Sequence, residues 1–312
     1  MTTVENPTIT FIICTYNRAN YLDRALSSLR DQKLDTDQTY EILVVDNNSS
    51  DRTAEVFNEH QSANSKDRNP IRYVKETNQG LTYARNRGIR ESEAPYVVFL
   101  DDDIRASEKL IAAWLQFFNE NPDAIAAGGR IHVRFDAERP EWMSHFLLPL
   151  VGRHDLGKTI KKYPSHKFPF GGNMGFKKSI FEEVGYFDTE LGKKGDKLYA
   201  KGEEKELFDR VRAQTNEIYY IPDAFLYHHV DGSRLTRDYV HNQARSLGQG
   251  MWLRLQEVST RQFMESWMRE IGKTAASVLL FIYYLLTFHP AKASMVLKFR
   301  WWIWRGYWGF AK

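Results

Sequence analysis

The sequence predicts an α/β protein built on a doubly wound, mostly parallel sheet, and three observations carry that expectation. Short apolar runs end abruptly in polar residues, segments with helical spacing follow them, and the two kinds alternate through the first hundred residues. "ITFIICTYN" reads as a buried strand over Ile9 to Cys14, and "ANYLDRALSSL" then carries apolar residues at helical spacing. "YEILVVDNNSSDRTAEVFNEH" repeats the pattern, with a β-rich run ending in Asp46, a polar turn with candidate caps, and a helix from about Thr53. "IRYVKE" is a third strand, "GLTYARNRGIRES" a helix, and "YVVFLDDD" a fourth strand. In such sheets ligands bind beyond the carboxyl ends of the strands, where Thr15, Asp46 and Asp101 to Asp103 converge.

Three consecutive aspartates after an apolar strand repel one another, so a positive group is expected beside them. Composition alone does not supply a partner. The 312 residues carry 43 lysines and arginines against 40 acids, and a formal net charge of +3 gives no basis for nucleic-acid binding. A single cysteine, Cys14, excludes an internal disulfide and a cysteine-based zinc site, which suits the cytosol. "MTTVENPTIT" has neither a basic n-region nor a long apolar h-region, so no secretory signal is expected.

"KLIAAWLQFFNENP" predicts a helix ending near Pro122, followed by "AIAAGGRIHVRF". The stretch from Arg139 to Phe168 shows no clear period and reads either as a binding loop or lid, or as a pair of short helices. "FGGNMGFKKSIFEEVGYFD" has closely spaced glycines that allow tight backbone approach, and "GEEKELFDRVRAQ" is the next helix.

Taken in order, "TYNR", "VVDNNSSDRT", "NQGLTYARNRGI", "FLDDD", "GGNMGF", "GEEKEL" and "YHHV" resemble the motifs of family 2 glycosyltransferases with the GT-A fold, across roughly Thr8 to Thr236. The resemblance implies an enzyme that moves a sugar from a nucleotide diphosphate to an acceptor, with Mn²⁺ or Mg²⁺ as cofactor. Clustered aspartates are hard oxygen ligands of the kind these cations take. It implies Asp103 as principal metal ligand, Asp101 facing the ribose or donor sugar, and Asp102 positioning both. His228 is expected as a further metal or diphosphate ligand, ahead of His229, and Arg234 as a phosphate clamp. Asp46 falls where the family reads the base, with uracil or thymine expected; Thr15, Tyr16, Asn17 and Asn78 should line the same pocket. Arg85 and Asn86 resemble the family's donor-contacting pair, and Gly172 and Asn173 should lie against donor sugar or acceptor. Glu204 matches the acid that deprotonates the acceptor, but the family usually has Asp there, so Glu203 remains an alternative base. Inverting single displacement is the implied mechanism. A non-catalytic relative that binds nucleotide sugars as an assembly partner is the alternative. A phosphotransferase is disfavoured because there is no Gly-rich phosphate loop with Lys.

The final fifth differs in character, which places a boundary between a GT-A domain at 1–258 and an amphipathic helical region at 259–312. The apolar run Ala275 to Phe288 is shorter than the roughly 20 residues needed to span a bilayer, and no acid follows Glu270. Trp301, Trp302, Trp304, Tyr307 and Trp308 are mixed with Lys298, Arg300, Arg305 and Lys312. This composition suits an interfacial anchor at the cytoplasmic face of a membrane, or else a helical hairpin covering the sheet or an oligomer contact. An anchor would suit an acceptor carried on a lipid, and the expected acceptor is a glycan or a lipid-linked molecule in envelope or exopolysaccharide synthesis.

Overall fold

The computed structural model describes residues 7–34, 39–63, 69–194, 197–198, 202–255 and 259–309. The first half alternates as expected: β1 (Ile9–Thr15), α1 (Ala19–Arg30), β2 (Tyr40–Asp46), α2 (Thr53–Ala63), β3 (Ile71–Lys75), α3 (Leu81–Glu91) and β4 (Tyr96–Asp101). These strands lie parallel in the order β3-β2-β1-β4. Register runs from Ile9 opposite Tyr40 to Thr15 opposite Asp46, and Cys14 stands opposite Asp101. The three strand ends therefore reach one edge of the sheet together.

The apolar runs are continuous because both faces of the sheet are covered. Ile9, Phe11 and Ile13 enter one buried cluster with Leu22, Leu26, Val44 and Trp114. Ile12 faces the opposite cluster, with Leu43, Val45, Ile89, Phe99 and Leu207. Period-2 geometry sends neighbours in a strand to opposite faces, so each run feeds both layers.

Beyond β4 the sheet becomes mixed. The elements are β5 (Ile104–Ala106), α4 (Leu110–Glu120), β6 (Ala126–Phe135), β7 (Lys161–Lys162), β8 (Asn173–Lys177), α5 (Ile180–Val184), β9 (Lys193–Lys194), β10 (Lys197–Leu198), α6 (Glu203–Gln214) and β11 (Ile218–Val230). β8 inserts antiparallel between β4 and β6, while β5 and β7 run antiparallel to β11. The stretch 139–168, left open between a loop and short helices, contains a 3-10 turn at His145–Val151, interrupted by Pro149, and the two residues of β7.

The chain divides into two compact units. One comprises 1–132, 152–190 and 203–229; the other comprises 133–151, 191–202 and 230–312. The boundary expected at 258 falls outside the described residues. In the second unit α7 (Arg237–Leu255), α8 (Thr260–Leu286) and α9 (Pro290–Tyr307) follow one another. Gly248 of α7 and Gly306 of α9 let these two helices cross closely, since a Cβ on either would fall on the other helix's backbone. Arg300 of α9 ties to α8 through Glu270 Oε2 at 3.1 Å and Ser277 Oγ at 3.4 Å. Among the described residues no helix is long and apolar enough to cross a membrane.

Candidate active site

The turn after β4 is the centre of the first unit's carboxyl edge. Asp102 and Asp103 are buried and Asp101 is half-buried. Arg18, just before α1, is the positive group: Nη1 bonds Asp102 Oδ1 at 2.5 Å and Nη2 bonds Asp103 Oδ2 at 2.9 Å. Thr15 Oγ1 donates to Asp102 Oδ2 at 2.8 Å. Burial pushes Asp102 up to about 7, with Asp103 and Asp101 adding to the rise while Arg18 and Thr15 oppose it. Burial would lower Arg18, but Asp102 and Asp103 outweigh it and hold its pKa above the ordinary guanidinium value. Burial and the nearby Asp103 raise Asp101.

His228 reaches this turn because β11 pairs with β5, His228 opposite Ile104, and the His229 N–H donates to the Asp103 carbonyl at 3.0 Å. Its Nε2 lies 3.1 Å from Asp103 Oδ1. Asp101, Asp103 and His228 each offer one ligand atom, all within 4.8 Å of one another. Two carboxylates and one imidazole, converging on one point, fit a divalent cation of the Mn²⁺ or Mg²⁺ kind.

Asp46 closes the end of β2. Its Oδ1 accepts from the Ser49 N–H at 2.9 Å and its Oδ2 from the Tyr73 hydroxyl at 2.5 Å. Burial and that bond raise the Tyr73 phenol. Beside it Asn47 binds four backbone or side-chain groups of the next loop: Gly80 N–H, Gln79 Nε2, and the carbonyls of Asn78 and Glu76. Asn17, in the left-handed region at φ 51°, accepts from the Ser50 N–H at 2.7 Å, and its own N–H donates to Ser49 Oγ at 2.9 Å. The β1 and β2 loops are thereby stitched into one rim.

On the other side of Asp101, the buried Arg85 points both Nη1 and Nη2 at Glu204 Oε1, 3.3 Å from each, and Nη1 is 3.7 Å from Glu203 Oε1. Burial lowers Arg85, but Glu204 and Glu203 outweigh it and raise its pKa. Gly171 and Gly172 pass directly over these groups. A Cβ on Gly171 would overlap Arg85 Nη2 and Glu204 Oε1, and one on Gly172 would overlap Asp101 Oδ2.

Residues 10–185, more than half of the chain, match the sequence profile of glycosyl transferase family 2. The chain belongs to that family. It is 29% identical over 217 residues to the glucosyl-dolichyl phosphate glucuronosyltransferase of Haloferax volcanii, covering 67% of this chain and 64% of that protein. A second relative is the teichoic acid poly(glycerol phosphate) polymerase of Staphylococcus epidermidis, 30% identical over 136 residues, 43% of this chain and 18% of that protein. The chain thus spans less than two thirds of the length of these curated relatives. Among solved structures, the Pyrobaculum calidifontis mannosyltransferase in complex with GDP-Man and Mn²⁺ superposes with a TM-score of 0.64 at 15% identity, covering 98% of this chain and 88% of that one. S. aureus TarS 1–349 in complex with UDP-GlcNAc gives 0.56 at 14% identity, over 97% and 92%. These likenesses place the fold as GT-A.

Within this family 2 fold, the expected site residues separate into groups. Thr15, Asp46, Asp101, Asp102, Asp103, Arg85, Glu203, Glu204, Gly172 and His228 all belong to the first unit. Thr15, Asp46 and Asp101 end strands, Asp102 and Asp103 form the turn after β4, and Arg85 lies within α3. Glu203 and Glu204 begin α6, Gly172 is in the glycine turn and His228 is near the end of β11. Tyr16 is half-buried in the β1 loop, and Asn78 is exposed, its N–H and Nδ2 both donating to Glu76 Oε1. Two expected contacts are redirected. Asn86 pins the Phe187 backbone, with Nδ2 donating to its carbonyl at 2.9 Å and Oδ1 accepting from its N–H at 3.0 Å. Asn173 is fully buried, accepting from Trp114 Nε1 at 3.1 Å and donating to the Ala224 carbonyl at 2.8 Å. Their amides hold the scaffold, because buried amides must be satisfied and these are satisfied from within. Arg234 belongs to the second unit, on a 3-10 turn 3.8 Å from Asp231. Arg18 is the residue that sequence reasoning did not single out; its signal was its place in "TYNR", one residue before a helix that starts where three aspartates need a cation.

Proposed function

We propose that this chain is a metal-dependent, inverting glycosyltransferase that takes a sugar from a UDP or dTDP sugar and gives it to a glycan or lipid-linked acceptor in envelope or exopolysaccharide assembly, peripherally at the inner face of a membrane. The observation that carries this reading is the convergence of Asp101, Asp103 and His228 within 4.8 Å at the strand edge that also holds Asp46. Solved structures of similar fold that hold GDP-Man with Mn²⁺, or UDP-GlcNAc, support a nucleotide-sugar donor.

Asp46 retains free lone pairs beside its two internal bonds and accepts the imide N–H of a uracil or thymine base. Asp101, Asp103 and His228 would hold the divalent cation, which when bound would supply charge stabilisation to the departing diphosphate. Arg18 holds Asp102 and Asp103 in place, and Gly171 and Gly172 leave room for a sugar against Asp101 and Glu204. Glu204, oriented by Arg85, takes the proton of the acceptor hydroxyl as its oxygen attacks the anomeric carbon. The anomeric C–O bond to the diphosphate breaks on the opposite face, inverting the configuration.

The test measures nucleotide binding and nucleoside diphosphate release with Mn²⁺ and a panel of UDP and dTDP sugars. Wild type should bind and turn over, Asp103→Ala should lose metal-dependent binding, and Glu204→Gln should bind but not release. Absence of nucleotide binding by wild type would overturn the donor-site reading. Binding without release under every acceptor tried would favour the non-catalytic alternative.

A further inference from the structure

The Trp-rich helix α9 is the smaller part of the apolar surface at the end of the chain. Val296, Phe299 and Ile303 are buried, Trp302 and Trp304 are half-buried, and the Trp304 Nε1 donates to Thr274 Oγ1 at 3.1 Å. The exposed apolar surface lies on α8 instead. Val278, Leu279, Ile282, Tyr283, Leu285 and Leu286 all lie open to solvent, Leu286 at 74% of its full exposure. The turn that follows presents Phe288 at 89% exposure. Phe288 also adopts φ 57°, in the left-handed region that a bulky side chain disfavours, so the turn holds an aromatic ring outward at a conformational cost. A soluble surface does not ordinarily keep so contiguous an apolar patch bare.

We propose that the C-terminal half of α8 and the α8–α9 turn form a monotopic anchor, which inserts Leu286 and Phe288 into the interfacial zone of a bilayer rich in anionic lipid. The length decides between spanning and lying in the interface. From Val278 to Leu286 the helix rises about 12 Å, far below the ~30 Å hydrocarbon core but matched to a ~5–10 Å interfacial burial. Charge decides which lipid. No acidic residue follows Glu270, while exposed Lys298, half-buried Lys292 and Arg305, stacked over exposed Trp301 at 4.9 Å, supply positive charge on α9. The membrane-face part of the proposed function rests on this surface, but lipid binding is measurable without any sugar transfer.

The experiment is flotation of the full chain with phosphatidylcholine vesicles and with vesicles that also contain phosphatidylglycerol, with Mn²⁺-dependent nucleotide binding followed in parallel. Wild type should float with the anionic vesicles and less in high salt. Phe288→Ser and Leu286→Ser should each weaken binding about ten-fold, and Lys298→Glu should weaken it toward anionic vesicles alone. An environment-sensitive fluorophore on Phe288→Cys should shift to the blue on vesicle addition. Nucleotide binding should be unchanged in all of these variants. The proposal is overturned if wild type fails to float, if Phe288→Ser floats as well as wild type, or if the serine variants instead abolish a concentration-dependent self-association, which would make the face a contact between two copies of this chain.

Discussion

Glu204 Oε1 sits 3.3 Å from both Nη1 and Nη2 of Arg85, with Glu203 Oε1 3.7 Å away on the same guanidinium. One buried cation thus holds two acids at the start of α6, and the rings of Phe187 and Phe99 flank it at 5.3 and 6.0 Å. Removing the cation takes from both carboxylates the guanidinium they share. Arg85→Gln should cost about 3 kcal/mol of stability in urea unfolding, and Arg85→Lys, with one point charge in place of a fork, should recover only part of it. Equal stability of Arg85→Gln and wild type would mean that the pairing is energetically idle.

Gly171→Ala separates geometry from stability. The new methyl overlaps Arg85 Nη2 and Glu204 Oε1, both ends of a tightly held pair, so it must push Glu204 out of line. Sugar transfer should fall at least ten-fold with donor affinity changed less, a split that steady-state kinetics reads directly. A parallel loss of donor binding would show that the glycine serves the nucleotide instead.

Arg18 predicts a metal-dependent difference in thermal stability. In Arg18→Gln the buried Asp102 and Asp103 lose their shared partner, so the melting temperature without metal should drop. Mn²⁺ should then stabilise the variant more than it stabilises wild type, because the added cation relieves the same repulsion. Identical increments on Mn²⁺ addition would contradict it.

His154 makes stability depend on pH. Its Nε2 lies 2.6 Å from the Tyr163 hydroxyl, its ring packs on Phe170, and burial, helped by Lys167, pulls its pKa down to about 4. The folded state therefore keeps it neutral where the unfolded chain, near 6.5, takes up a proton. Its contribution is complete above pH 6.5 and is lost as pH falls toward 4, amounting to about 3 kcal/mol at most. Unfolding free energies at pH 7 and pH 5 should differ less in His154→Phe than in wild type.

The parallel half of the fold was readable because strands buried on both faces leave continuous apolar runs, and each run stops in a polar group at the sheet edge: Thr15, Asp46, Asp101. The insertion of β8 between β4 and β6 was not, since "GGNMGF" shows no signal for strand direction and its neighbours lie far away in sequence. Asn86 and Asn173 looked like ligand contacts for a similar reason. A sequence displays the amide but not whether Phe187 or Trp114 will satisfy it. The aspartates demanded a cation, and the fold supplies it as Arg18, 84 residues away from Asp102. Likewise the apolar run ending at Phe288 was visible, but which helix face would remain bare depended on how α9 packs against α8.

The pairing of His228 with Asp103 joins residues 125 positions apart in the chain, across strands β11 and β5. By contrast, β1 pairs with β2 and β2 with β3 through single crossovers, Ile9 opposite Tyr40 and Ile42 opposite Ile71. Contacts of high sequence separation form late because loop closure must precede them. The cluster of Asp101, Asp103 and His228 is therefore expected to assemble after those pairings. A chain that has built that part of its sheet but not yet docked β11 carries the Asp46 rim without the imidazole, so any Mn²⁺ binding in a refolding experiment should appear only after the sheet has formed.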